Sequence, residues 1–212
     1  NLNNFNYIIA PEHDGLFGEN VFSTKGAIHY LTKKEINNHT DYLKDRLNTN
    51  KNYFLLILGG PTKHYDYSDE NILNIFNLFN DLVKKNNLQG IVVPSIRTPK
   101  DIISLSKNKL GSNSLIIDKV DKKAYLSALS LAKYIAITCD SISMISEAAL
   151  TGKPIYVADI PTKKNDYRIK KFKELFTKLN IIKKLDNKLE TWHYEILDET
   201  SRIAGEIKKK LI

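Results

Sequence analysis

Three short stretches of this chain put small, polar and charged residues directly after an apolar run. Tyr53 to Leu58 is followed by Gly59-Gly60-Pro61-Thr62-Lys63. Ile91-Val92-Val93 is followed by Pro94-Ser95-Ile96-Arg97-Thr98-Pro99. Tyr134 to Ile137 is followed by Thr138-Cys139-Asp140-Ser141-Ile142-Ser143-Met144-Ile145-Ser146-Glu147. These residue types suit the holding of an anion. Glycines let the backbone approach a phosphate closely, and Thr62 and Lys63 add donors. Arg97 has the planar fork that grips a phosphate through two parallel bonds, with Ser95 beside it. Asp140, Ser141 and Ser143 surround a helix start, whose free amides and positive dipole end favour negative charge. Glu147, one turn further on, is placed to accept hydrogen bonds from two ribose hydroxyls.

Each stretch also has a plain structural reading. Gly59-Gly60-Pro61 is a turn signal, and Arg97 by itself suits a surface position. Asp140, Ser141 and Ser143 are ordinary helix caps, and Glu147 suits the solvent face of a helix. Neither a Walker loop nor a G-x-G-x-x-G is present. His13 and Asp14 are a second candidate pair. His13 is either a general base, since imidazole titrates near neutrality, or one half of a loop-pinning hydrogen bond.

The elements that must position these residues alternate regularly. Strands are expected at Tyr7–Ala10, Tyr53–Leu58, Ile91–Val93, Leu115–Ile117, Tyr134–Ile137, Ile155–Val157 and Ile181–Ile182. Helical spacing appears after Ser68 and over Asp101–Lys109, Asp121–Ala132, Ser141–Thr151, Arg168–Leu179 and Thr191–Leu211. A connecting helix is expected over residues 36–47. Strands separated by helices imply right-handed crossovers and a parallel, Rossmann-like α/β sheet with helices on both faces. In such a sheet ligands sit beyond the carboxyl ends of the strands, where all three stretches lie. The domain boundaries expected are 1–48, 49–162 and 163–212.

Composition narrows the partners. The 212 residues are 42% hydrophobic, and the formal net charge is +8. That charge fits phosphate-bearing small molecules, nucleic acid or anionic lipid. Aromatics are not interleaved with basic residues, so nucleic acid is not expected. The basic run Lys163, Lys164, Arg168, Lys170, Lys171 and Lys173 either faces an anionic surface or is a solvated helix face. Cys139 is the single cysteine, expected as a small buried residue rather than a nucleophile. No Cys/His spacing fits zinc, so no metal and no cofactor is expected. No apolar run approaches the roughly 20 residues of a membrane span. A reducing, cytoplasmic location is expected, peripheral to the inner membrane if the basic run meets lipid. The chain opens on Asn1 and enters a strand almost at once, which suggests a fragment of a longer protein.

Together the three stretches resemble the mitochondrial fission protein family named for elongated mitochondria. Pro11-Glu12-His13-Asp14, Asn20 and Gly26-Ala27 are similar to its opening signature. Trp192-His193-Tyr194 and Leu197-Asp198-Glu199-Thr200 are similar to its C-terminal segment. Ile96 departs from the pattern, which usually has a second arginine there. The resemblance implies a fold like the GT-B glycosyltransferases: here a GT-B C-terminal domain plus a remnant of the N-terminal domain. It implies a nucleoside-diphosphate sugar as ligand, with Ser141 and Ser143 at the diphosphate and Glu147 at the ribose. Gly59, Gly60, Thr62, Lys63, Ser95, Arg97 and Asp140 would line the same cleft, and His13 and Asp14 would serve catalysis. The sugar would pass to an anionic lipid or envelope acceptor. Retaining GT-B enzymes often carry a second glutamate eight residues after the first, and here that position is Ile155. The plant members of the family recruit a dynamin-like protein, which implies the alternative of a non-catalytic adaptor.

Overall fold

The computed structural model describes residues 4–211. Among them a six-stranded sheet forms from β3 (Tyr53–Leu58), β4 (Gln89–Pro94), β5 (Ser114–Ile116), β6 (Ala132–Thr138), β7 (Ile155–Ala158) and β8 (Ile182–Lys184). All neighbouring pairs are parallel, in the order β5-β4-β3-β6-β7-β8. The helices between them are α2 (Asp69–Lys85), α3 (Lys100–Leu110), α4 (Lys122–Leu131), α5 (Ile142–Ala149) and α6 (Tyr167–Lys178). Helical crossovers carry the chain outward from β3 through β4 to β5, then outward from β6 through β7 to β8. The direction of winding therefore reverses between β3 and β6, and a crevice opens there.

The central strands read as continuous apolar runs because helices cover them on both sides. Every residue of β3 is buried. Helix α2 brings Ile72, Ile75, Phe76, Phe79, Leu82 and Val83 down as one stripe, and Phe79 packs on Phe54 of β3 at a 4.6 Å centroid distance. Each such side chain contributes roughly 1.5–3 kcal/mol through loss of contact with water.

The first part of the chain makes a separate two-stranded parallel sheet, β1 (Ile8–Pro11) and β2 (Val21–Thr24). A 3-10 turn at Glu12–Asp14 leaves β1 and ends on Gly15, whose φ of 67° is the left-handed region. Residues 36–47 are not one helix. Helix α1 (Lys33–Asn38) is followed by a 3-10 segment, Thr40–Arg46. Their packing on α4 explains the break. Leu43 is buried, and Ser127 Oγ both accepts from Leu43 N (3.1 Å) and donates to Thr40 O (2.9 Å).

The last helix, α7 (Glu199–Leu211), starts later than the expected Thr191. Residues 191–198 lack regular structure because side chains claim their surroundings. Trp192 is buried against Tyr156, and its indole donates to Asn180 O at 2.8 Å. Tyr194 donates to Lys153 O at 2.9 Å. Helix α7 then returns to the first sheet. Glu199 accepts from Lys25 N (2.6 Å) and is gripped by Arg202, which also donates to Ser23 O at 2.7 Å.

Candidate functional site

The ends of β3, β4 and β6 are welded together by their own polar groups. Gly59 N donates to Thr138 Oγ1 at 2.8 Å. The buried Thr98 hydroxyl lies 2.9 Å from Leu58 O and 2.6 Å from Gly59 O, and accepts from Ser95 N. At the centre is Asp140, its side chain fully buried. One oxygen accepts from Thr138 Oγ1 (2.6 Å); the other accepts from Gly60 N (3.0 Å) and from Arg97 (2.7 Å). Both glycines are explained by this contact. A Cβ on Gly59 would lie 2.1 Å from the Asp140 carboxylate, and one on Gly60 would lie 2.1 Å from Arg97 O.

Beyond this weld lies a cleft of about 480 Å³. His64, Ser95, Arg97, Asp140, Ser141 and Ser143 line it from the strand ends, and Asp166 and Arg168 line it from the start of α6. Ser141 caps α5 by accepting from Met144 N at 3.4 Å. Ser143 is exposed, and its hydroxyl has no hydrogen-bond partner among the described residues. The first amides of α5 lack intrahelical partners, as at any helix start, so the cleft has both a dipole end and a guanidinium facing it.

Glu147 points into a second hollow, not into bulk solvent. Tyr125 donates to its Oε2 at 2.7 Å, leaving Oε1 without a protein partner among the described residues. That hollow, about 220 Å³, is lined by Tyr30, Val120, Tyr125 and Met144, with Ser95 and Met144 shared with the first. The two hollows therefore adjoin at these two residues, and the pair makes up the trough. Tyr30, 66% exposed, forms its outer rim with Lys122 Nζ 4.6 Å above the ring.

The remaining expected residues lie elsewhere. Thr62 Oγ1 accepts from His64 N at 3.2 Å and shapes its loop, while Lys63 is exposed. Gly59 and Gly60 serve loop contact at the floor. His13 is only 5% exposed, with its ring edge against Phe172 at 5.6 Å, and it does not line either hollow. Burial lowers its pKa against the opposing pull of Asp14. Asp14 accepts from Arg168 Nε at 2.6 Å, so this pair ties the Glu12–Asp14 turn to α6. Cys139 is buried, its Sγ accepts from Ile160 N at 3.3 Å, and burial pushes the thiol up to about 11, which removes its nucleophilic form at neutral pH.

Sequence spacing alone did not single out His64, Tyr30, Tyr125, Asp166 or Arg168 for this site. His64 follows the Gly-Gly-Pro-Thr-Lys stretch directly, which was a usable signal. The others come from distant helices and a strap. Half of the basic run is paired: Arg168 meets Asp14, Lys163 meets Asp66 at 3.0 Å, and Lys173 meets Asp159, while Lys164, Lys170 and Lys171 have no ion pair among the described residues.

Residues 1–211 match the family described as Mitochondrial fission ELM1. The chain belongs to that family. A relative from Rickettsia prowazekii, named uncharacterized protein RP120, is 28% identical over 94% of this chain and 58% of its own length. The mitochondrial fission protein ELM1 of Arabidopsis thaliana is 27% identical over 55% of this chain and 28% of its own length. This ELM1-family chain thus spans little more than half the length of the Rickettsia relative and less of the plant one. A UDP-GlcNAc 2-epimerase from Methanocaldococcus jannaschii, solved with UDP-GlcNAc and UDP, superposes with a TM-score of 0.50 at 18% identity, over 96% of this chain and 61% of that one. The ELM1-family chain therefore shares the GT-B glycosyltransferase-like fold. Among the described residues no helix is long and apolar enough to cross a membrane.

Proposed function

We propose that this chain is the donor-binding part of a GT-B-like glycosyltransferase. It would hold a nucleoside-diphosphate sugar in the trough and pass the sugar to an envelope or lipid acceptor. The observation that carries this reading is the position of Glu147. One of its oxygens is without a protein partner among the described residues, and the hollow it lines shares Ser95 and Met144 with the cleft of Arg97, Ser141 and Ser143. A ribose at Glu147 places its diphosphate at the start of α5. There the amides, Ser143 and Arg97 offset the charge that grows on the departing diphosphate. Residues 49–162 supply most of this site, with Tyr30 added from residues 1–48 and Asp166 and Arg168 from residues 163–212.

A second reading is a non-catalytic adaptor that recruits a protein. The burial of His13 favours it, since His13, expected as a base, does not line the trough. Calorimetric titration of UDP and UDP-GlcNAc against wild type and Glu147→Ala decides between them. Binding by wild type that is weakened in the variant supports the donor site. A stoichiometric protein partner with no nucleotide binding supports the adaptor.

A further inference from the structure

The cleft carries less positive charge than its arginines suggest. Arg97 is paired with Asp140 and Arg168 with Asp14. Asp166 adds a third carboxylate: Oδ1 caps α6 by accepting from Ile169 N at 3.2 Å, and Oδ2 faces the cleft. Two arginines thus face three carboxylates, and a diphosphate entering here needs a further cation.

His64 is the group placed to provide it. Its backbone is clamped, because His64 O accepts from Lys163 N at 2.7 Å and Lys164 N at 3.3 Å. Its imidazole is not. Nδ1 is buried and has no hydrogen-bond partner among the described residues. Nε2 lies 3.9 Å from Asp166 Oδ2, close enough for charge attraction and too far for a hydrogen bond. Lys63, next to it in the chain, is exposed, and Lys163, on the loop before α6, is engaged with Asp66. With Nδ1 sealed from solvent, Nε2 is the nitrogen a ligand in the cleft can reach, and it has no hydrogen bond among the described residues, an unmet donor or acceptor that a ligand can complete.

We propose that His64 takes up a proton when a diphosphate enters this cleft and donates a hydrogen bond to a phosphate oxygen, so that donor affinity rises as pH falls. The proposal rests on the donor-site reading and adds a proton to it. The sign follows from linkage: a ligand that binds together with a proton binds tighter where protons are more abundant. Imidazole is the side chain that changes charge near neutral pH.

The test uses ligands whose own charge is constant. Each phosphate of a nucleotide sugar carries one ester and one anhydride link, leaving a single strongly acidic oxygen that does not titrate between pH 5.5 and 8. UDP-GlcNAc, ADP-glucose and GDP-mannose are titrated calorimetrically into wild type and His64→Gln across that range. At least one should bind wild type about 10-fold tighter at pH 5.5 than at pH 8, with the variation nearly abolished in the variant. The His64 ring signals in NMR should titrate at higher pH with that ligand bound. Equal affinity at both pH values, or the same pH dependence in His64→Gln, overturns the proton linkage and leaves the donor site standing. If none of the three binds at any pH, both the linkage and the donor reading fall.

Discussion

The guanidinium of Arg97 and the carboxylate of Asp140 meet at 2.7 Å across the ends of β4 and β6. The acid is fully buried and the arginine is 39% exposed. The pair is therefore asymmetric. The ionic attraction is screened and contributes about 0–1 kcal/mol. The larger part is the buried carboxylate, which also takes Gly60 N and Thr138 Oγ1. Asp140→Ala strands those donors and should cost about 3 kcal/mol in urea unfolding. Arg97→Ala should cost under about 1 kcal/mol yet weaken anion binding. Equal losses in both variants would contradict this division.

Gly60 is sensitive in a different way. Its missing side chain is what lets Arg97 O come close. Gly60→Ala pushes the loop of residues 95–97 off the floor and should destabilise by about 1–3 kcal/mol, as overpacking does. Differential scanning calorimetry measures it. A variant as stable as wild type would show that the contact is loose.

The Tyr125–Glu147 hydrogen bond aims the glutamate. Tyr125→Phe leaves the packing in place and frees the carboxylate to turn. On the donor-site reading nucleotide affinity should fall about 3-fold in Tyr125→Phe and about 10-fold or more in Glu147→Ala. Identical affinities for both variants and wild type would remove Glu147 from the site.

His13 makes stability depend on pH. Burial depresses its pKa in the folded state below 6.5, the ordinary value. Between those values the unfolded chain binds the extra proton and the folded chain does not. The stabilisation is thus complete above about pH 6.5 and is lost as pH falls through the folded value. Urea midpoints should drop between pH 7 and pH 5. His13→Phe, which keeps the contact with Phe172, should make that drop smaller. An unchanged slope would assign the acid sensitivity to another group.

Glu199 joins α7 to the strap that follows β2. Arg202 and Lys25 N hold its carboxyl below the usual carboxylate value, although burial pushes the other way. Glu199→Ala leaves Lys25 N unpaired and should cost about 2 kcal/mol. Hydrogen exchange should speed up at residues 21–30 as well as in α7. Ala27 N donates to Ser146 Oγ at 3.0 Å on helix α5, so that region should loosen at the Ser146 end too.

The periodicity of the sequence by itself determined the parallel sheet. Apolar runs such as Tyr53–Leu58 can be buried only between two layers of helices, and the stripe from Ile72 to Val83 fits only a helix. The same reasoning placed the Gly59, Arg97 and Ser141 stretches at strand ends, because turn and cap residues are local signals. Local signals could not delay the start of α7 to Glu199, since what keeps the preceding residues out of the helix is the docking of Trp192 on Tyr156 from another element. Nor could they choose between a cap and a cleft. That Asp140 is a buried strut, that Glu147 faces a hollow, and that His13 is packed away while His64 lines the cleft follow from contacts between residues tens of positions apart. Only the folded chain brings those together, because burial and hydrogen-bond partners belong to the neighbourhood and not to the residue.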